Sequence, residues 1–231
     1  SDVLEVFSIY GRKTSGSQEL SRVLMKFPIT EISTERTRGT VPASGSVSFY
    51  LRVHNAPSSK TVPKDYKMVV QPIGTAWQEG SGLDLENYED VTNGNPGANW
   101  MSASNTTSWN SVSGGADWIS SSADYRYEQT FESGTEDIEL NITPLVERWI
   151  KGARIKLSAS YEAVGTASVG NDQSVQKNPN GATKSYYTKR LFARSSQYWF
   201  MRPTIEARWD DSIRDDRGNF FFSSSRAPAA D

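Results

Sequence analysis

Val47, Phe49, Leu51 and Val53 are apolar, and Ser48, Tyr50 and Arg52 separate them. A repeat of two residues sends alternate side chains to opposite faces of an extended chain. A helix, at roughly 3.6 residues per turn, would scatter the same four around its circumference. Residues 47–54 therefore read as a strand with one face in a core. The pattern recurs in Asp137–Ile142 and in Arg154–Tyr161, where Ile155, Leu157, Ala159 and Tyr161 share a face. Runs rich in β-formers predict further strands over Leu20–Ile29, Lys67–Ile73, Tyr125–Phe131, Tyr186–Ala193 and Arg202–Trp209. Pro72 predicts an edge or a bulge in its strand.

The period changes at Thr143-Pro144-Leu145-Val146-Glu147-Arg148-Trp149-Ile150. A cap-type residue, proline at the first helical position and apolar residues at helical spacing, closed near Gly152, mark a helix. It is read as the one short helix, and Thr34–Ser46 as a polar loop. Strands without βαβ alternation predict an all-β fold, an antiparallel jelly-roll β-sandwich over residues 1–209. A long loop insert, residues 77–124, interrupts it, and residues 210–231 form a C-terminal arm or the start of a further module.

The chain has no cysteine, so disulfides, thiolate metal sites and cysteine nucleophiles are ruled out, and packing is expected to hold the fold. A net charge of -2 lacks the basic excess of a general nucleic-acid binder. No stretch approaches the roughly 18 consecutive apolar residues of a membrane span. Neither nucleic acid nor membrane is expected as a partner. The single histidine, His54, stands at a strand end, so a histidine metal cluster or a Ser-His-Asp arrangement lacks material. A non-enzymatic chain is expected. Asp84, Glu86, Glu89 and Asp90, with Asn87, Asn93 and Asn95, offer the hard oxygen ligands that calcium prefers, at a spacing unlike an EF-hand loop. Calcium is the one cofactor the residues suggest.

Four of the seven tryptophans, Trp77, Trp100, Trp109 and Trp118, lie in the Ser/Asn/Gly-rich insert. Two readings stand beside each other. Tyr88, Trp100, Trp109 and Trp118 would make a stacking platform for sugar rings, with Asn and Ser for the hydroxyls. Alternatively the tryptophans are the insert's own small core; this reading is favoured, because a polar insert needs large apolar anchors to be ordered. The region from Glu132 to Glu139 is acidic and that from Lys184 to Arg202 basic, an asymmetry that suits contacts between subunits. Phe220, Phe221 and Phe222 are read as a partner contact, since exposed they would invite aggregation.

The order of several phrases resembles DNRLRE-type jelly-roll domains, relatives of a group of carbohydrate-binding modules. The phrases are Ser21-Arg22-Val23-Leu24-Met25-Lys26-Phe27, Val47-Ser48-Phe49-Tyr50-Leu51-Arg52-Val53 and Trp77-Gln78-Glu79-Gly80, then Trp109 near a Gly-Gly pair. Ile142-Thr143-Pro144-Leu145-Val146-Glu147-Arg148-Trp149 and Arg202-Pro203-Thr204-Ile205-Glu206 complete the series. Such domains occur in secreted wall-associated proteins, as accessory modules of polysaccharide-degrading enzymes, and in bacteriophage virions. The enlarged insert, the 165–181 loop and the C-terminal arm depart from the family pattern, and the overall texture is similar to that of phage structural proteins. The resemblance implies a structural or decoration protein of a virion, on capsid or tail surface, contacting other virion proteins or copies of itself. The alternative it implies is a carbohydrate-binding module or adhesion domain of a secreted or surface protein, extracellular and directed at glycans.

Overall fold

The computed structural model describes residues 3–10, 18–20, 22–59, 62, 66–79, 97–110, 116, 117, 119, 125–152, 156–162 and 185–212. The calcium candidates Asp84, Glu86, Glu89 and Asp90, the platform residues Tyr88 and Trp118, the 165–181 loop and Phe220–Phe222 lie outside them. In chain order the first elements are β1 (Val3–Tyr10), β2 (Gln18–Leu20), β3 (Arg22–Met25) and α1 (Ile29–Arg38). Then come β4 (Ser48–Val53), β5 (Tyr66–Ile73), β6 (Tyr127–Phe131) and β7 (Ile138–Asn141). The last are α2 (Thr143–Ile150), β8 (Lys156–Glu162), β9 (Ser185–Phe192) and β10 (Thr204–Arg208). The fold is all-β, and among the described residues every strand pair is antiparallel and there are two short helices. Three sheets run β3-β8-β5-β6, β10-β4-β7 and β2-β1-β9.

Alternation does what the pattern predicts. In β4 Phe49, Leu51 and Val53 are buried while Ser48, Tyr50 and Arg52 are partly open, and in β7 Ile138 and Leu140 go in while Glu139 and Asn141 stay out. These residues share one apolar cluster with Val23 and Met25 of β3, Met68 and Val70 of β5, Phe131 of β6, and Leu145, Val146 and Trp149 of α2. The helix is tied to β4 as well as packed on the core: the Phe49 N–H donates to Thr143 Oγ1 at 2.8 Å, and the Ile142 N–H to the Phe49 carbonyl at 2.9 Å.

β5 lacks alternation because both of its faces are covered. Met68 and Val70 point into the first cluster; Ile73, on the opposite face, joins a second cluster with Ala103, Trp109 and Ala116, against which Leu24 of β3 also packs. Pro72 is accommodated by register. β6 pairs with β5 only from Tyr66 to Val70, and the Pro72 carbonyl accepts from the Ile119 N–H at 3.0 Å. The proline nitrogen faces the same side, beyond the end of β6, so the missing donor breaks no strand ladder.

Four expectations need correction. Residues 34–46 are not all loop, since α1 occupies the first part, and α2 is thus not the only helix. The run Thr30-Glu31-Ile32-Ser33-Thr34 has weak helix propensity, and α1 contains no fully buried residue, so no apolar stripe announced it. Tertiary contacts hold it, and Gly39, at φ 85°, ends it in the left-handed region that glycine tolerates. The run Leu20–Ile29 divides into the end of β2, β3 and the start of α1. β1 was not foreseen, and it pairs along its whole length with β9.

The outer side of β7 carries an unusual partner. Gln129, on β6 of the facing sheet, donates from Nε2 to the Asp137 carbonyl at 2.6 Å and accepts at Oε1 from the Glu139 N–H at 2.8 Å. One side-chain amide thus makes the pair of bonds that a neighbouring strand would make.

Candidate functional site

The described part of the insert folds down on β3 and β5. Asn99 Oδ1 accepts from the N–H groups of Met101 and Ser102, both at 2.8 Å, and the Ala103 N–H donates to the Thr107 carbonyl at 2.8 Å, which closes a tight turn. Trp109 enters from this turn into the second cluster, 6% exposed, with its indole N–H donated to the Asn99 carbonyl at 2.9 Å. Below it Asp117 Oδ2 accepts from Thr75 Oγ1, and from Asn110 Nδ2 at 2.9 Å. Trp100 points differently: it is half-buried, and the Arg22 guanidinium lies 4.7 Å from its ring centroid. Of the two platform residues described, then, one is a core anchor and one keeps a partly open ring.

A more exposed aromatic group sits between β9 and β10. Tyr198, Trp199, Phe200 and Met201 are 57%, 68%, 88% and 41% exposed, around a 3-10 turn of residues 199–201. The turn is held from below. Buried Ser196 accepts at its carbonyl from Arg202 Nε at 2.9 Å and at Oγ from the Tyr198 N–H at 3.2 Å, and the Met201 N–H donates to the Tyr198 carbonyl at 3.0 Å. The Arg202 guanidinium stacks 4.7 Å from the Trp199 ring centroid, and the Tyr198 ring meets Phe192 edge-on at 5.7 Å. The signal available in the sequence was the row of four large apolar residues between Gln197 and Arg202, which no period-two strand can bury.

The third place of interest brings together the histidine and the two charged regions. His54 Nδ1 and Asp137 Oδ2 are 2.7 Å apart, and Asp137 Oδ1 accepts from the Asn55 N–H at 2.7 Å. Lys189, 1% exposed, donates to Asn55 Oδ1 at 2.8 Å, the Gly134 carbonyl at 3.0 Å and the Glu136 carbonyl at 2.6 Å, with the Phe131 ring centroid 4.8 Å away. All three ammonium protons are thereby engaged. One lysine of the basic stretch is thus held by the acidic turn of the same chain.

Glu136 shapes that turn by accepting at Oε1 from the N–H groups of Glu132 at 2.9 Å and Ser133 at 2.7 Å, while its Oε2 is buried without a hydrogen-bond partner. Gly134 adopts φ 83°, which lets its carbonyl face the lysine. Burial pushes the Lys189 ammonium down, against the opposing pull of Glu136 and Asp137, to about 8. Partial burial raises the Glu136 carboxyl, but the Ser133, Glu136 and Glu132 donors outweigh it and bring it to about 2. Burial likewise raises the Asp137 carboxyl, and the Asn55 N–H and His54 turn the balance downward.

Against known proteins, the chain matches no family model, no curated protein and no solved structure. Function is therefore argued from geometry. Among the described residues no group of three or more His, Cys, Asp or Glu could hold a metal, and no helix is long and apolar enough to cross a membrane. The His54–Asp137 pair has the form of an oriented general base. Both carboxylate oxygens, however, serve to hold residues 54 and 55, and the pair acts as a clamp on the segment that carries Asn55.

Proposed function

We propose that this chain is a non-enzymatic structural or decoration module of a larger particle, a bacteriophage virion being the leading case, and that it works by protein–protein contact. The observation that carries the reading is the Tyr198–Met201 turn. Four large apolar side chains are presented to solvent on a turn braced by Ser196 and Arg202. Aromatic residues fixed before association lose little freedom on binding, and such groups dominate the energetics of protein contacts.

A jelly-roll sandwich is the fold we propose for the module. In an eight-stranded jelly roll the first strand lies beside the eighth, the eighth beside the third and the third beside the sixth, while the second lies beside the seventh. The order β3-β8-β5-β6 and the β4–β7 pair repeat those relations when β3 counts as the first strand and β6 as the sixth. Residues 74–126 then fall in the sequence interval of the fourth and fifth. The likeness to DNRLRE-type domains supports the same fold.

Sedimentation velocity across a concentration series tests the contact role. Association is expected for the wild type, alone or with a fellow component of the particle, and is expected to vanish in the double variant Trp199→Ser/Phe200→Ser. A second reading, a carbohydrate-binding or adhesion module, is favoured by the partly open ring of Trp100. Glycan-array binding lost in Trp100→Ala, from a protein that stays monomeric with every particle component, would replace the first reading by the second.

A further inference from the structure

We propose that Lys189 and Asn55 join in an intramolecular isopeptide bond, formed by the folded chain on itself. The β-pairing places them together. Asn55 bridges to Leu191 in antiparallel fashion, flanked by the Ala56 N–H to Arg190 carbonyl bond at 2.9 Å and the Phe192 N–H to His54 carbonyl bond at 3.0 Å. Lys189, two residues before Leu191, shares its face and is the diagonal neighbour of Asn55. The result is Nζ 2.8 Å from Asn55 Oδ1, which sets the amine beside the carboxamide carbon, over the fully buried Phe131 ring.

The reaction needs an amine, an amide held still and a base that later acts as acid. Asp137 is the positioning residue for the amide, since it clamps the Asn55 N–H and His54. The base is hydroxide of the alkaline medium: Lys189 bonds the Glu136 carbonyl, while the Glu136 carboxylate is held by the Glu132 and Ser133 N–H groups. Burial favours the neutral, nucleophilic form of the lysine.

Hydroxide takes one proton from Lys189, and the free amine attacks Cγ of Asn55, forming the Nζ–Cγ bond. Water protonates the side-chain nitrogen, the Cγ–Nδ2 bond breaks and ammonia leaves. Nζ gives up a second proton, which departs with the ammonia as ammonium. No oxidant or cofactor enters, and the chain loses the mass of one ammonia molecule. The bond would close a loop between residues 134 apart in a protein without cysteine.

Intact-mass spectrometry of the purified full chain, after incubation in mildly alkaline buffer, tests the proposal. A mass lower than the sequence mass by one ammonia is expected, together with a proteolytic fragment in which the Asn55 and Lys189 peptides are joined. The unshifted sequence mass overturns it. So does ammonia loss without the joined fragment, or ammonia loss that persists in Lys189→Arg, because cyclisation of an asparagine on its own backbone releases ammonia without needing the lysine. Linkage is expected to quicken as the buffer is made more alkaline, and a rate independent of pH would overturn hydroxide as the base.

Discussion

Arg36 grips Glu147 through two parallel hydrogen bonds, Nη1 to Oε2 and Nη2 to Oε1, each 2.7 Å long. The side chains are 16% and 12% exposed, so the pair fastens α1 to α2 in partly desolvated surroundings and adds geometry as well as charge. Arg36 Nε donates in addition to the Pro42 carbonyl at 3.1 Å, which anchors the chain leaving α1.

Breaking this pair leaves one charge half-buried and alone. Arg36→Ala is expected to cost about 3 kcal/mol, near the lower end for a buried pair. Urea unfolding of Arg36→Ala, Glu147→Gln and the double variant checks it, and the double variant should cost less than the two single losses added together.

The same pair sets an acid limit. The Arg36 hydrogen bonds, working against burial, hold the Glu147 carboxyl below its ordinary 4.5. A depressed folded value gives stability that is fully present above the unfolded value and is lost as pH falls through the folded one. Thermal unfolding from neutral pH downward should show the loss beginning near 4.5, and Glu147→Gln should remove that part of the pH dependence.

Trp109 and Trp100 should separate cleanly. Trp109→Ala empties the second cluster and is expected to cost about 3–5 kcal/mol, with hydrogen exchange accelerating in residues 97–110. Trp100→Ala removes a half-buried ring from beneath Arg22 and should cost about 1 kcal/mol or less. Equal losses would contradict the placement of Trp109 as the anchor.

At the aromatic turn the expected result is the reverse of a core substitution. Trp199→Ser and Phe200→Ser should each leave the unfolding midpoint within the range of surface changes, about 0.5 kcal/mol, because little of either ring is buried. Their effect should appear in association. A marked loss of stability would mean that the turn is part of the fold.

The outer face of the β10-β4-β7 sheet carries a ring of opposite charges. Arg208 meets Glu139 at 2.8 Å and Glu206 at 2.9 Å, and Arg52 lies 3.6 and 3.5 Å from the same two carboxylates. These side chains are a third or more exposed, so Arg208→Ala should cost far less than Arg36→Ala, and the cost should shrink as salt is added. Denaturant midpoints at low and high salt decide it.

What could be read from residue order was whatever rests on local pattern. β4 and β7 were legible because one face is buried and the other wet, and α2 because Thr143, Pro144 and its apolar spacing agree. α1 was not, since no buried apolar stripe marks it and Arg36 is paired with a residue 111 positions away. Trp109 was legible as an anchor, and its burial in the second cluster agrees; that the described part of the insert covers a second face of β3 and β5 follows from pairing alone. The Lys189 site was hidden for the same reason: its partners come from residues 55, 134 and 136, brought together by β9 and two turns.

The Gln129 amide on β7 gives the β10-β4-β7 sheet a direction. A chain end-stopped on one border cannot hand the sheet on from copy to copy. Among the described residues β10 is the border of this sheet that keeps one side for another strand, and two copies meeting there by a two-fold axis would use up that side in each. Joining through the sheet therefore stops at a pair, and an endless ribbon would first have to displace Gln129.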